Sequence, residues 1–253
     1  MRLRWLGTAG FEMRSEETSI LVDPYLTRNE RARPYQPLAP EDFSHVLDIF
    51  VTHGHFDHTF DLPAIVEASG ARVHASASVC DSISKKGIPT EKLEVMGEGE
   101  SAVAGPFLVT AIPACHVSFD ARLVMTTAWR CLPVLPSLAG LGSRTYPKGN
   151  VLGWLVEVEG KKLLHLGSGC MRRELNEDVD VFLVPVQGRT DICTVAAGLA
   201  GTVRPDTIIP HHHDDFYPPL SRYIDLEPFR DELERRGVKA ELKVPEIDSW
   251  MGL

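Results

Sequence analysis

The sequence is expected to fold as one α/β domain, because its length, its alternation of elements and its placement of polar residues agree. Its 253 residues exceed the common domain size but lie within reach of one large α/β unit. Short apolar runs with strand character alternate with stretches of helical spacing in both halves. Histidines and aspartates gather where apolar runs end, which is how such a scaffold builds a site on loops held by a rigid sheet. No tandem repeat and no linker-like composition divides the chain, so residues 1–253 are read as a single domain.

Taken in order, Leu3 to Gly7, Phe11 to Arg14 and Ser19 to Asp23 read as short strands separated by glycine-containing or charged turns. Asp23 ends the run Ile20-Leu21-Val22 and precedes Pro24. A carboxylate there either caps a turn or supports a nearby histidine. Thr27 to Pro40 is rich in Arg and Pro and reads as an irregular connection, followed by a buried strand over Val46 to Val51. Leu62 to Ala68 has helical spacing, with Pro63 in the first turn where its missing N–H matters little. Arg72 to Ala75 is a short strand, and Ser76 is suited to cap a helix running to about Lys86, with Gly87 to end it.

Leu93 to Met96 and Phe107 to Pro113 read as further strands. Trp129 to Pro147 carries Pro133, Pro136, Gly140 and Gly142 among leucines and reads as an apolar loop or insertion. It either packs, or covers a site and admits an apolar or acyl substrate. Val151 to Val158 and Lys162 to Leu166 flank Glu159-Gly160 as a hairpin. Val181 to Val186 is a buried strand, Val195 to Val203 a helix and Thr207 to Pro210 a strand. Leu226 to Arg236 is an amphipathic helix ended by Gly237, and Lys239 to Val244 is the last strand.

A net charge of −9 argues against nucleic acid as a partner, since phosphate binding wants a basic surface. Arg28, Arg31 and Arg33 form a local basic cluster, read as a solvated loop with an anionic contact as the alternative. The five cysteines are scattered and never form C-x-x-C, a pattern of free thiols in a reducing compartment. The chain starts straight into a strand pattern without a signal core, and no apolar run reaches the ~18 residues of a membrane span. A soluble, cytoplasmic protein is expected.

The densest polar feature is Val51-Thr52-His53-Gly54-His55-Phe56-Asp57-His58. His53 and His55 alternate on a turn around a glycine, so both imidazoles can face one point. Asp57 and His58 follow as the chain turns toward a helix and can face a second point nearby. Three more clusters stand at strand ends: Pro113-Ala114-Cys115-His116, His165-Leu166-Gly167-Ser168-Gly169-Cys170 and Pro210-His211-His212-His213-Asp214-Asp215. Outside them, His45 and His74 read as ordinary surface or partly buried histidines. His165 reads as a core histidine or as support behind the ligands. Cys115 and Cys170 read as small buried residues that a nearby metal could make reactive.

Thr52-His53-Gly54-His55-Phe56-Asp57-His58 resembles the H-x-H-x-D-H signature of the metallo-β-lactamase superfamily. Trp5-Leu6-Gly7-Thr8-Ala9-Gly10-Phe11, Leu21-Val22-Asp23-Pro24, Gly149-Asn150-Val151 and Pro210-His211-His212 extend the likeness over nearly the whole chain. They look like the branch of the L-ascorbate-6-phosphate lactonase-like hydrolases and, more distantly, N-acyl-phosphatidylethanolamine phospholipase D. The resemblance implies a four-layer αβ/βα sandwich with a metal site along one edge of two facing sheets. It implies one divalent ion on His53, His55 and His116, and a second on Asp57, His58 and a histidine of the 211–213 run. The family's Pro-x-His spacing selects His212, leaving His211 or His213 behind the ligands or toward substrate. Zinc is the first expectation, with manganese or iron as alternatives. A metal-bound hydroxide would be the nucleophile, because the ion lowers the pKa of water from about 15.7 to about 7. Asp57 would orient it and pass its proton to the leaving group.

One position departs from the family pattern. Ser168 stands where relatives carry an aspartate that bridges the two metals. A neutral hydroxyl is a poor bridging ligand, and the second ion should suffer most from its loss. One tight ion, or two weakly held, is therefore expected. Asp191, Asp214 and Asp215 would compensate only if folded inward, and read otherwise as turn residues. The expected function is a metal-dependent hydrolase acting on a small-molecule ester, lactone or phosphodiester. The alternative is a non-catalytic metal- or ligand-binding protein that kept the fold after losing the aspartate, and a redox or sulfur-handling role ranks last. A homo-oligomer remains open.

Overall fold

Two mixed sheets lie face to face in the computed structural model, which describes residues 1–173, 175 and 177–253. In the first half, β1 (Arg2–Gly7), β2 (Gly10–Ser15) and β3 (Thr18–Val22) form an antiparallel meander. Then β4 (Asp48–Phe50), the one-turn helix α1 (Phe56–Thr59), α2 (Leu62–Ser69), β5 (Arg72–Ala75), α3 (Ala77–Ser84) and β6 (Leu93–Val95) continue the sheet, with β3 to β6 all parallel.

The second half repeats the plan. β7 (Ser101–Ala104) and β8 (Phe107–His116) lead into α4 (Ala121–Cys131) and α5 (Leu135–Leu138), after which β9 (Leu152–Val158) and β10 (Lys161–His165) complete an antiparallel meander. The short β11 (Gly169–Met171) pairs back onto β8. β12 (Val181–Pro185), α6 (Ile192–Val203), β13 (Thr207–His211), α7 (Glu227–Arg235) and β14 (Glu241–Leu242) extend the sheet in parallel from β10. Finally β15 (Trp250–Gly252) crosses to the first sheet and closes its edge against β1.

The apolar patterning explains the layering. One face of each sheet meets the other in a core that includes Trp5, Phe11 and Phe50 on one side and Phe107, Trp154 and Leu183 on the other. The outer face of the first sheet packs on α2 and α3 through Ile49, Val73, Ile65 and Val79. That of the second packs on α6 and α7 through Phe182, Ile208, Ala197 and Phe229. The order helices, sheet, sheet, helices is the four-layer sandwich expected. Each large side chain buried this way contributes about 1.5–3 kcal/mol. Because β3 to β6 run parallel in the first sheet and β10, β12, β13 and β14 in the second, their carboxyl ends open on a common edge, where such sheets place ligands.

Several sequence expectations are corrected. The 129–147 stretch is a loop only over 142–147: Trp129 to Cys131 end α4, and 3₁₀ turns at Leu132–Val134 and Ala139–Leu141 flank α5. Pro133 and Pro136 each sit in the first turn of their element, where a missing N–H matters least. The strand expected over Val46 to Val51 narrows to β4, and β7, β11 and β15 are additional strands too short to carry a period of their own. Ser76 stands at the cap position of α3 without capping it, because its hydroxyl donates to Asn150 O at 2.8 Å.

Cys115 and Cys170 are not free thiols but a disulfide between directly opposed positions of β8 and β11, whereas Cys80, Cys131 and Cys193 are free. Only the docking of β11 brings the pair together. Arg28 does not lie in a solvated loop: it is buried in an ion pair with the fully buried Asp214 at 2.7 Å. His74 is buried, stacked on Phe50 and bonded to Asp48 at 2.8 Å.

Candidate metal centre

At the shared edge, His53, His55 and His116 form one group and Asp57, His58 and His212 a second, each with its donor atoms within 4.8 Å of one another. His53 and His55 leave the end of β4 on an extended turn that closes against the loop before β9, where Gly54 N donates to Lys148 O at 2.8 Å. A Cβ at position 54 would collide with Pro147 O, so only glycine permits this approach. α1 then presents Asp57 in its first turn, where the helix dipole favours a carboxylate, and His58 beside it. His116 ends β8, and His212 follows β13 with a left-handed φ of 62° that swings it away from its neighbours.

Hydrogen bonds behind the first group decide which nitrogen of two of its rings is free. Thr52 Oγ1 donates its only proton to Asp23 Oδ2 at 2.6 Å, so at 3.0 Å it must accept from His53 Nδ1. His53 Nε2 therefore keeps its lone pair and points at His55 Nδ1, 3.0 Å away. His116 Nδ1 donates to Val117 O at 2.7 Å, which frees its Nε2 in the same way. His55 Nδ1 can donate to the His53 lone pair or, with its proton on Nε2, turn a lone pair of its own to the same point, and in that tautomer the three rings fit a divalent ion.

The second group is tied to the first through Asp23. Its Oδ1 accepts from Thr52 N at 2.7 Å, and its Oδ2 lies 2.8 Å from His58 Nδ1, close enough to pair in charge although the ring N–H is not aligned on it. Asp23 itself holds a left-handed φ of 45°. A Cβ on Gly167 would run into Thr52 Oγ1, so the glycine lets the strand end carrying Ser168 pass over this network. Ser168 Oγ then reaches His58 Nε2 at 3.1 Å, while His212 Nε2 stands 3.2 Å from Asp57 Oδ2. The buried His212 Nδ1 has no hydrogen-bond partner among the described residues.

Burial keeps most of these imidazoles neutral, the form that donates to a metal. Desolvation first, then the neighbouring histidines, hold His53 well below its usual value, and burial brings His55 to about 4. His116 is lowered as well, chiefly by burial. His58 goes the other way: burial opposes its charge, but Asp23 and Asp57 outweigh that and raise it. Burial pushes Asp57 up, yet the charge of His58 and the bond to His212 hold its carboxyl below the ordinary range.

The remaining candidates are drawn elsewhere. His211 shares a hydrogen bond with Leu183 O at 3.2 Å and stacks on His165, and His213 stacks on Trp5. His165 is a fully satisfied core residue, donating to Ala9 O at 2.9 Å and accepting from Gly167 N at 3.1 Å. None of the three aspartates considered as substitutes stands in either group. Asp214 accepts from Thr8 N and pairs with Arg28, Asp215 accepts from Ser221, and Asp191 pairs with Arg189 at the surface. The carboxylate supporting the centre from behind is Asp23. The part played by Thr52 had no signal in the sequence beyond its place before His53.

Asp57, His55, His116, Ser168 and His212 line one end of a cavity of about 380 Å³. Its other walls come from Phe119, α4, the 141–146 turn and the 216–224 loop. Phe56, Tyr25, Tyr146 and Phe216 form an aromatic cluster beside it.

Comparison with known proteins agrees with this architecture. Residues 18–212 match the model of the beta-lactamase superfamily domain, so the chain belongs to that superfamily. Among its relatives, a UPF0173 metal-dependent hydrolase of Pyrococcus abyssi is 30% identical over 237 residues, covering 91% of each chain. A UPF0173 metal-dependent hydrolase of Carboxydothermus hydrogenoformans is 29% identical over 252 residues, covering 97% of each. In fold, the chain is similar to a metallo hydrolase of Ignicoccus hospitalis, with a TM-score of 0.69 at 21% identity over 99% of this chain and 97% of that one. Among the described residues, no helix is long and apolar enough to cross a membrane.

Proposed function

We propose that this chain is a metal-dependent hydrolase of small-molecule esters, lactones or phosphodiesters. The observation that carries this reading is the pair of donor groups, four of whose six residues (His55, His116, Asp57 and His212) line one cavity. His53, His55 and His116 would hold the tighter ion, because hydrogen bonds on two of these rings already turn the correct nitrogen inward. Asp57, His58 and His212 would hold a second ion more weakly, since Ser168 brings no charge to the point between the groups. Zinc suits this histidine-rich set best, ahead of manganese or iron. When bound, the cation supplies Lewis acidity and makes a nucleophile available from water near neutral pH.

The chain's own residues do the rest. Asp57 lines the cavity and is held ionised, so it can orient the attacking water and carry its proton to the leaving group. Asp23 and Thr52 fix the ring of His53 from behind, and Asp23 holds His58. The test measures zinc, manganese and iron per chain after purification, and again for Ser168→Asp. The native chain should carry close to one ion, and the variant should approach two. A chain that takes up none of these metals would overturn the hydrolase reading. Unchanged occupancy in Ser168→Asp would overturn the account of the second group.

A further inference from the structure

The cavity beyond the two donor groups has a chemistry of its own. Apolar side chains make most of its wall: Phe119, Leu123, Val124, Leu141, Phe216 and Leu220 among them. A guanidinium is set among these walls. Arg130 lines the cavity from the last turn of α4, and its Nε is buried without a hydrogen-bond partner. The bond its head group makes is Nη2 to Thr127 Oγ1, long at 3.3 Å.

Among the described residues, no carboxylate lies within ion-pair reach of Arg130. Asp215 feels its charge from farther away, and its Oδ1 already accepts from Ser221. Arg189, also on the wall, is by contrast committed to a two-pronged contact with Asp191 and to Ser118 O. A place near the C-terminal end of a helix suits any cation, but it does not explain a buried N–H left unanswered. A guanidinium half-buried against apolar walls is strongly held only when an anion completes its fork.

We propose that this cavity binds an amphiphilic anion, with its apolar body against α4, Leu141 and the Phe216–Leu220 wall and its carboxylate or phosphate on Arg130. The inference rests on the hydrolase reading for the reacting end of the cavity, and it adds the substrate class: a molecule carrying both a medium-sized apolar group and a negative charge. An apolar body alone would leave the charge of Arg130 without a counter-ion. A polar anion alone would leave the apolar walls wet.

The test uses the full chain stripped of metal by a chelator, so that no anion can bind through an ion at the donor groups. Octanoate, octyl phosphate and octanol are titrated by calorimetry. At least one of the two anions should bind saturably and about tenfold or more tighter than octanol, as expected for a hydrogen bond to a charged group. Arg130→Gln should remove that advantage while leaving octanol within about twofold, and Arg130→Lys should keep part of it. If neither anion binds tighter than octanol, or if Arg130→Gln leaves the preference intact, the proposal falls. Should Arg130→Gln fail to fold, the comparison of the three probes on the native chain decides alone. Metal content is measured separately, so a chain that binds octanoate but no metal would sink the hydrolase reading and spare the amphiphile site.

Discussion

At the scale of single residues, the centre depends on side chains that touch no substrate. Asp23 serves Thr52 through two hydrogen bonds and His58 through a charge contact. Asp23→Asn keeps the size and tolerates the left-handed backbone but gives up the charge. Zinc affinity, read by competition with a chelator, should fall about 10–100-fold; an unchanged affinity would remove Asp23 from the centre. His165 offers a pH signature. Burial brings its folded value from 6.5 to about 4, so above 6.5 both folded and unfolded forms are neutral and full stability is present. As pH falls between those values the unfolded chain takes up the proton first, and stability is lost by about 3 kcal/mol. In His165→Gln, melting of the metal-free protein across that range should lose this share of its acid sensitivity. An equally steep acid limb would assign the effect to other buried histidines.

At the scale of elements, α4 is held over the cavity by one residue at its start. Asp120 accepts from Leu123 N at 2.9 Å as the helix cap, and from Thr190 N at 2.6 Å across the gap to the loop before α6. Those two backbone donors lower its carboxyl to about 2, so the tether stays charged at every ordinary pH. Elsewhere α4 has little hold: of its own residues only Cys131 is buried, while Met125 and Trp129 are 66% and 77% exposed. Limited proteolysis should therefore cut within residues 121–147 faster in Asp120→Ala than in the native chain, with Asp120→Asn between them. Equal cutting rates would show that packing, not the tether, holds the helix.

At the scale of the whole molecule, much was legible in the chain itself. The alternation of strands and helices follows from apolar periodicity, and the hairpin Val151 to Leu166 from its Glu159-Gly160 turn. The donor run from His53 to His58 was legible because six adjacent residues with four metal-binding side chains have little other use. His116 and His212 could be drawn to it only through resemblance, since they lie far along the chain and meet it where β8 and β13 end at the same edge.

What the sequence by itself determined was local: periodicity, turns and the clustering of ligand types, all properties of neighbouring residues. Tertiary structure alone decided the rest. It paired Cys115 with Cys170, buried Arg28 against Asp214, ordered 121–141 into helical turns over a cavity and set Arg130 in its wall. Each of these is a contact between distant segments, whose free energy exists only once the two sheets have packed and excluded water.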